Sequence, residues 1–154
     1  MSLHVGDLAP EFTLPDGRGK SHALVSFRGQ WVLLYFYPKD MTPGCTVEAC
    51  TLRDAYTTYR RRKLVILGVS TDSTTSHAKF SERYHLPFPL LADTEKEVVR
   101  AYGVWGKKKF LGKEYMGTKR MSFLIDPQGK IAKIYTNVKP AEHAEEVLTD
   151  QAEA

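Results

Sequence analysis

The sequence predicts an α/β fold in which a central, mixed β-sheet is flanked by helices. Three observations carry this. Trp31 to Tyr37 (WVLLYFY) and Leu64 to Thr71 (LVILGVST) are uninterrupted apolar runs of strand length, rich in β-branched and aromatic residues, as in strands covered on both faces. Thr46 to Lys63, between them, has a helical pattern, and a strand–helix–strand unit makes the sheet partly parallel. Met121 to Asp126 (MSFLID) and Lys130 to Thr136 (KIAKIYT) flank Pro127-Gln128-Gly129, the signature of a β-hairpin.

The remaining elements follow in order. Ser73 to Tyr84 reads as a second helix and Asp93 to Tyr102 as a third, with Asp93 as its N-cap. Pro140 is expected in the first turn of a last helix, PAEHAEEVL, where a missing N–H does no harm. Phe12 to Leu14 and Ala23 to Phe27 are the expected edge strands. No repeat, low-complexity segment or linker divides the chain, so residues 1–154 read as one domain. A domain of this length buries roughly 68–70% of its unfolded surface and needs no disulfide scaffold.

The amino terminus, MSLHVGDLAPEF, lacks the charged and then apolar stretch of a signal peptide, and no apolar run approaches the roughly 18 residues of a membrane span. The expectation is a cytoplasmic protein without a membrane partner, whose cysteines do redox or metal chemistry. The formal net charge of +4 raises the question of nucleic acid. Its clusters are small: Arg60, Arg61, Arg62 and Lys63 end a helix, and Lys107 to Lys109 lie in a Gly-bounded loop. Both read as solvated surface, and no nucleic-acid partner is expected.

Both cysteines of the chain, Cys45 and Cys50, lie in the stretch YFYPKDMTPGCTVEACTLRDAY. Thr42 is placed as an N-cap, Pro43 then falls at the first helical position, Gly44 follows, and Cys45 is third. There its sulfur lies near unpaired backbone N–H groups and the positive helix end, which favour thiolate over thiol. At about 100° per residue, Cys45 shares an apolar stripe with Ala49, Leu52, Tyr56 and Tyr59, and Cys50 is rotated about 140° away. In a continuous helix, residues five apart have Cα atoms roughly 8–9 Å distant. A disulfide needs less than about 7 Å, so the pair can bridge only if the first turns unwind.

Other readings compete. A buried cysteine is often a small hydrophobe, and this one is singled out by the cap, proline and glycine around it. His4, His22, His77, His85 and His143 are scattered singly, which gives no zinc-ligand spacing, and neither a metal nor a cofactor is expected. The Cys-x-x-Cys pair of dithiol exchange is absent, and no local signature sets a histidine beside Cys45 for acyl transfer.

The segment PKDMTPGC, with Pro38, Thr42 and Cys45, resembles the Pro-x-x-x-Thr/Ser-x-x-Cys motif of the peroxiredoxins, and TPGCTVEAC is similar to their bacterioferritin-comigratory, or Q-type, subfamily. The likeness continues through HLPFPLLAD (85–93), AYGVWGKKKFLGKEYMG (101–117) and KRMSFLIDPQGKI (119–131). It implies a thioredoxin-like fold with a peroxiredoxin-type N-terminal extension, and the activity of a thiol peroxidase on hydrogen peroxide or alkyl hydroperoxides. It also implies that Cys45 is the peroxidatic cysteine, Cys50 the resolving cysteine, and that Thr42, Pro38 and Arg120 complete the peroxide site.

Each implied role has a physical reason. Negative charge develops on the departing peroxide oxygen, and the Thr42 hydroxyl, the amides of Gly44 and Cys45 and the fixed charge of Arg120 are suitable donors. Pro38 has no N–H and shields the site from water. Lys119 is expected to point away from Arg120, because strand side chains alternate. Glu48 either orients Arg120 through a carboxylate pair or is a solvated helix residue. The implied cycle runs from a Cys45 sulfenic acid to a Cys45–Cys50 disulfide in a monomer, reduced by thioredoxin or, alternatively, glutaredoxin. The competing function is a redox-sensing protein that uses the same pair as a switch without sustained turnover.

Overall fold

A computed structural model describes residues 2–154. The chain opens with a short antiparallel ribbon, β1 (Thr13–Pro15) and β2 (Ser21–Ala23), followed by a 3-10 turn over Leu24–Phe27. β3 (Trp31–Phe36) leads into α1 (Pro43–Asp54) and α2 (Tyr56–Arg61), then β4 (Leu64–Ser70) and α3 (Thr74–Tyr84). β5 (Leu90–Ala92) and α4 (Glu97–Ala101) precede a hairpin of β6 (Trp105–Phe110) and β7 (Lys113–Thr118). β8 (Met121–Ile125), β9 (Ile131–Tyr135) and α5 (His143–Glu153) complete the chain.

The main sheet has the order β5-β4-β3-β8-β9. β3 pairs with β4 in parallel, from Trp31 opposite Leu64 to Phe36 opposite Val69, and with β8 antiparallel, from Val32 opposite Ile125 to Phe36 opposite Met121. Because strand side chains alternate, β3 divides its apolar run between two cores. Leu33 and Tyr35 face Cys45, Ala49 and Leu52 of α1, Tyr59 of α2, Phe80 of α3 and Val147 of α5. Val32, Leu34 and Phe36 face Phe12 and Leu24 of the N-terminal segment and Val98, Val99 and Tyr102 around α4. A strand sandwiched in this way has no polar face, which is why its sequence is continuous rather than alternating.

Several expectations need correction. Ala23 to Phe27 is not an edge strand: the Ser26 hydroxyl donates to the Ala23 carbonyl at 2.6 Å, a local bond that competes with strand pairing, and only Leu24 of the turn is buried. The two N-terminal strands pair with each other and not in register with the main sheet. The helix expected from Asp93 begins at Glu97, because Lys96 holds a left-handed backbone (φ 62°) that a right-handed helix cannot pass through; the buried Asp93 carboxylate accepts the Val99 N–H, at 2.8 Å. The single helix expected to Lys63 starts at Pro43 and is interrupted at Ala55. The last helix begins after Pro140, at His143, and Lys107 to Lys109 are part of β6 rather than a loop. Among the described residues no helix is long and apolar enough to cross a membrane.

Candidate active site

The site is built on the start of α1. Thr42 is extended at the N-cap position (φ −80°, ψ 154°), with Pro43 directly after it. The position matches expectation, but the cap bond does not form: the Thr42 hydroxyl donates to the Lys39 carbonyl at 2.8 Å and accepts no helix N–H. The first helical bond runs from the Thr46 N–H to the Thr42 carbonyl, at 2.9 Å. The amides of Gly44 and Cys45 precede it and have no intrahelical acceptor.

Cys45 is buried, at 1% exposure, and Cys50 is half-buried; both are free thiols. Arg120, 75 residues beyond Cys45, donates through Nη2 to Cys45 Sγ at 3.3 Å and through Nη1 to Glu48 Oε1 at 2.7 Å. One planar fork thus spans a sulfur and a carboxylate that lie three residues apart on α1. Gly44 makes room for it, since a Cβ there would sit 2.9 Å from Arg120 Nη2. Neighbouring Lys119 is exposed while Arg120 is half-buried, but both lie in the link between β7 and β8, so the strand alternation expected for them does not apply.

Glu48 is fully buried. Burial pushes its carboxyl up to about 7 against the pull of Arg120, and its Oε2 finds no partner among the described residues. Arg120 loses by burial, but the charges of Cys45 and Glu48 outweigh that and raise its pKa further. Beneath the thiol lies Tyr35, also buried, with an unpartnered hydroxyl; burial first, then the charges of Glu48 and Cys45, hold it well above the ordinary phenol range.

Pro38 is half-buried and opens the turn that carries Thr42. That turn is stapled from below by a cluster with no counterpart in the sequence reading. Asp40 is 4% exposed; its carboxylate accepts the Tyr37 hydroxyl at 2.6 Å and the Ser76 hydroxyl at 2.8 Å, and lies 2.7 Å from His77 Nδ1. Its N–H donates to Asp72 at 2.9 Å, and His77 Nε2 faces the Leu91 carbonyl at 3.0 Å. The available signal was His77 three residues before Phe80 on one helix face, an inward-pointing polar group that must have a partner. A groove of about 890 Å³ between the β1–β2 ribbon and α3 contains none of these residues.

The sequence pattern of the AhpC/TSA family matches residues 5–134. The chain belongs to this family of peroxiredoxins. It is similar to peroxiredoxin Bcp of Bacillus subtilis, 45% identical over 148 residues (96% of this chain and 94% of the relative), and to peroxiredoxin Bcp of Escherichia coli, 47% identical over 146 residues (95% and 94%). Among solved structures it is similar to PrxQ of Xylella fastidiosa, with a TM-score of 0.93 at 30% identity over 99% of this chain and 98% of the other. It also resembles the bacterioferritin comigratory protein of Xanthomonas campestris, described for its alkyl peroxide reduction activity, with a TM-score of 0.87 at 35% identity over 92% and 90%. The fold of this peroxiredoxin is thioredoxin-like and its activity is that of a thiol peroxidase.

Proposed function

We propose that Cys45 attacks the peroxide and that Cys50 resolves the product within the same chain. The observation that carries this is the Arg120 guanidinium 3.3 Å from a buried sulfur at a helix start. A fixed positive charge and free helix amides favour the thiolate, which is the attacking species. The Cys45 thiolate attacks the terminal oxygen of RO–OH, the S–O bond forms, the O–O bond breaks, and the alkoxide leaves and takes up a proton as ROH. Arg120 and the amides of Gly44 and Cys45 stabilise the charge on the departing oxygen, joined by the Thr42 hydroxyl once it turns from the Lys39 carbonyl to the peroxide; Glu48 orients Arg120, and Pro38 closes the water-free side.

The second half needs the helix to move. Cys45 and Cys50 lie on one unbroken helix, so its first turns unwind before the Cys50 thiolate attacks the sulfenic sulfur and hydroxide leaves, protonated to water. The substrates are hydrogen peroxide and alkyl hydroperoxides. An external dithiol, thioredoxin or glutaredoxin, reduces the disulfide in the cytoplasm, and one chain suffices because both thiols are its own.

The test is free-thiol titration with intact mass, seconds after one equivalent of hydrogen peroxide is added to fully reduced protein. The parent is expected to lose both thiols and two hydrogens, Cys50→Ser to stop at one added oxygen, and Cys45→Ser to remain unchanged. Sustained peroxide consumption on adding thioredoxin, its reductase and NADPH separates an enzyme from a sensor. Equal, slow reaction of all three proteins overturns the assignment.

A further inference from the structure

The buried Asp40 carboxylate ties the turn ahead of α1 to several parts of the fold at once. Tyr37, just past β3, donates its hydroxyl at 2.6 Å, while Ser76 and His77, at the start of α3, bring a hydroxyl to 2.8 Å and a ring nitrogen to 2.7 Å. The Asp40 N–H is held as well, by the Asp72 carboxylate beyond the end of β4, at 2.9 Å. His77 is fully buried, and its other ring nitrogen faces the Leu91 carbonyl of β5 at 3.0 Å, so the ring cannot swing off Asp40 without losing both bonds. Side chain and backbone of one residue are thus fixed against β3, β4, α3 and, through His77, β5.

This fixing exceeds what α3 needs, since Phe80 already seats that helix in the core. Replacing a buried charged cluster by apolar residues is often neutral or stabilising. What the cluster supplies is one arrangement of the chain it holds, because any other leaves a buried charge without partners. The next residue shows the need. Met41 has a left-handed backbone (φ 66°) and a side chain 42% exposed, so its own packing does not keep it there. Thr42 follows directly, and Cys45 lies in the helical turn after it. An anchored Asp40 therefore sets the direction in which Met41 and Thr42 enter α1.

We infer that Asp40 and His77 are positioning residues for the peroxide step: by locking the turn ahead of α1, they keep Thr42 within reach of a peroxide at Cys45 without touching the substrate themselves. This rests on Cys45 being the attacking thiol.

Two reactions of Cys45 in the reduced protein test it: oxidation by hydrogen peroxide, followed by stopped flow, and alkylation by iodoacetamide, read by peptide mass. Only the first uses the Thr42 hydroxyl. Asp40→Ala is expected to slow oxidation about tenfold, within the loss caused by Thr42→Val, and to leave alkylation within about twofold of the parent. In a Thr42→Val background the same change adds less than about twofold, because the group it positions is gone. His77 gives an independent reading should Asp40→Ala fail to fold. The amide of asparagine falls near Nδ1 and that of glutamine near Nε2, so His77→Asn keeps a donor for Asp40 and His77→Gln keeps one for Leu91. His77→Gln slows oxidation about threefold or more, and His77→Asn restores it. Oxidation and alkylation falling together, equal rates in His77→Asn and His77→Gln, or a full further loss in the Thr42→Val background overturns the positioning role, as does a fast parent matched by every variant. A parent whose Cys45 is oxidised no faster than Cys50 overturns the nucleophile reading and this one with it.

Discussion

Cys45 and Cys50 are the same residue type on the same helix, and the structure gives them opposite surroundings. Cys45 is 1% exposed, at the helix start, with a guanidinium on its sulfur and a buried carboxylate one turn further on. Cys50 sits half-buried on another flank of α1. The comparison teaches that placement assigns chemistry to a thiol: in the proposed cycle one environment holds a charge and the other keeps a thiol available until the helix opens. Each substitution below moves Cys45 toward the condition of Cys50.

Arg120→Met removes the only charged donor seen on Cys45 Sγ among the described residues, and peroxide reduction should fall by about 10²–10³. Stopped-flow oxidation kinetics measure it. Arg120→Lys should recover little, because one ammonium cannot bridge both Sγ and Glu48 as the planar fork does.

Thr42→Val should slow the peroxide step by about tenfold to a hundredfold, with Thr42→Ser close to the parent, since a hydroxyl and not a methyl is required. Equal rates in all three proteins would remove Thr42 from the site. Gly44→Ala sharpens the comparison differently. Its Cβ, 2.9 Å from Arg120 Nη2, pushes the guanidinium off the sulfur, while alanine is the better helix former. Activity should drop about tenfold with no loss in melting temperature, and a parallel loss of both would point to a packing defect instead.

A separate effect concerns stability rather than rate. The Glu48 carboxyl is raised in the folded state from 4.5 to about 7, so the folded protein holds this proton more tightly than the unfolded chain. Its contribution is fully present below pH 4.5 and is lost as pH rises through about 7, on the order of 3 kcal/mol in all. Glu48→Gln should remove that slope, seen as a flatter dependence of melting temperature on pH between 4.5 and 8. An unchanged slope would mean that Glu48 ionises normally.

Legibility from sequence followed the locality of the forces. β3 and β4 were readable because burial on both faces leaves an unbroken apolar run. β5 was not read: three residues between Pro89 and Asp93 carry too little pattern. The β6–β7 ribbon was missed because its exposed, lysine-rich strands have no apolar alternation to show. At the site, Thr42, Pro43, Gly44 and Cys45 follow from the local rules of helix starts. Arg120 is brought to Cys45 by strand pairing across 75 residues, which no local pattern records, and only family resemblance pointed to it. The turn of Thr42 was predicted, but its hydroxyl turns back to Lys39, a bond within the turn that a capping rule does not foresee.

The tie between α1 and α5 has a consequence for how the protein opens. The Thr51 hydroxyl, one residue past Cys50, shares its proton between the Glu48 carbonyl at 2.9 Å and the Pro140 carbonyl just ahead of α5 at 3.1 Å, and in α2 the Tyr59 hydroxyl donates to the Ala144 carbonyl at 2.8 Å. A helix fastened there frays from its free end, and fraying has a natural stop. The proposed reactive thiol and its partner lie ahead of the fastening together with Ala49 of the core, while Leu52 lies on the secured side. In the proposed cycle each turnover is a bounded, sub-global opening whose free energy is that of a few helical turns and not of the whole domain. Hydrogen exchange would see a two-tier α1, quick up to Cys50 and slow from Thr51 onward.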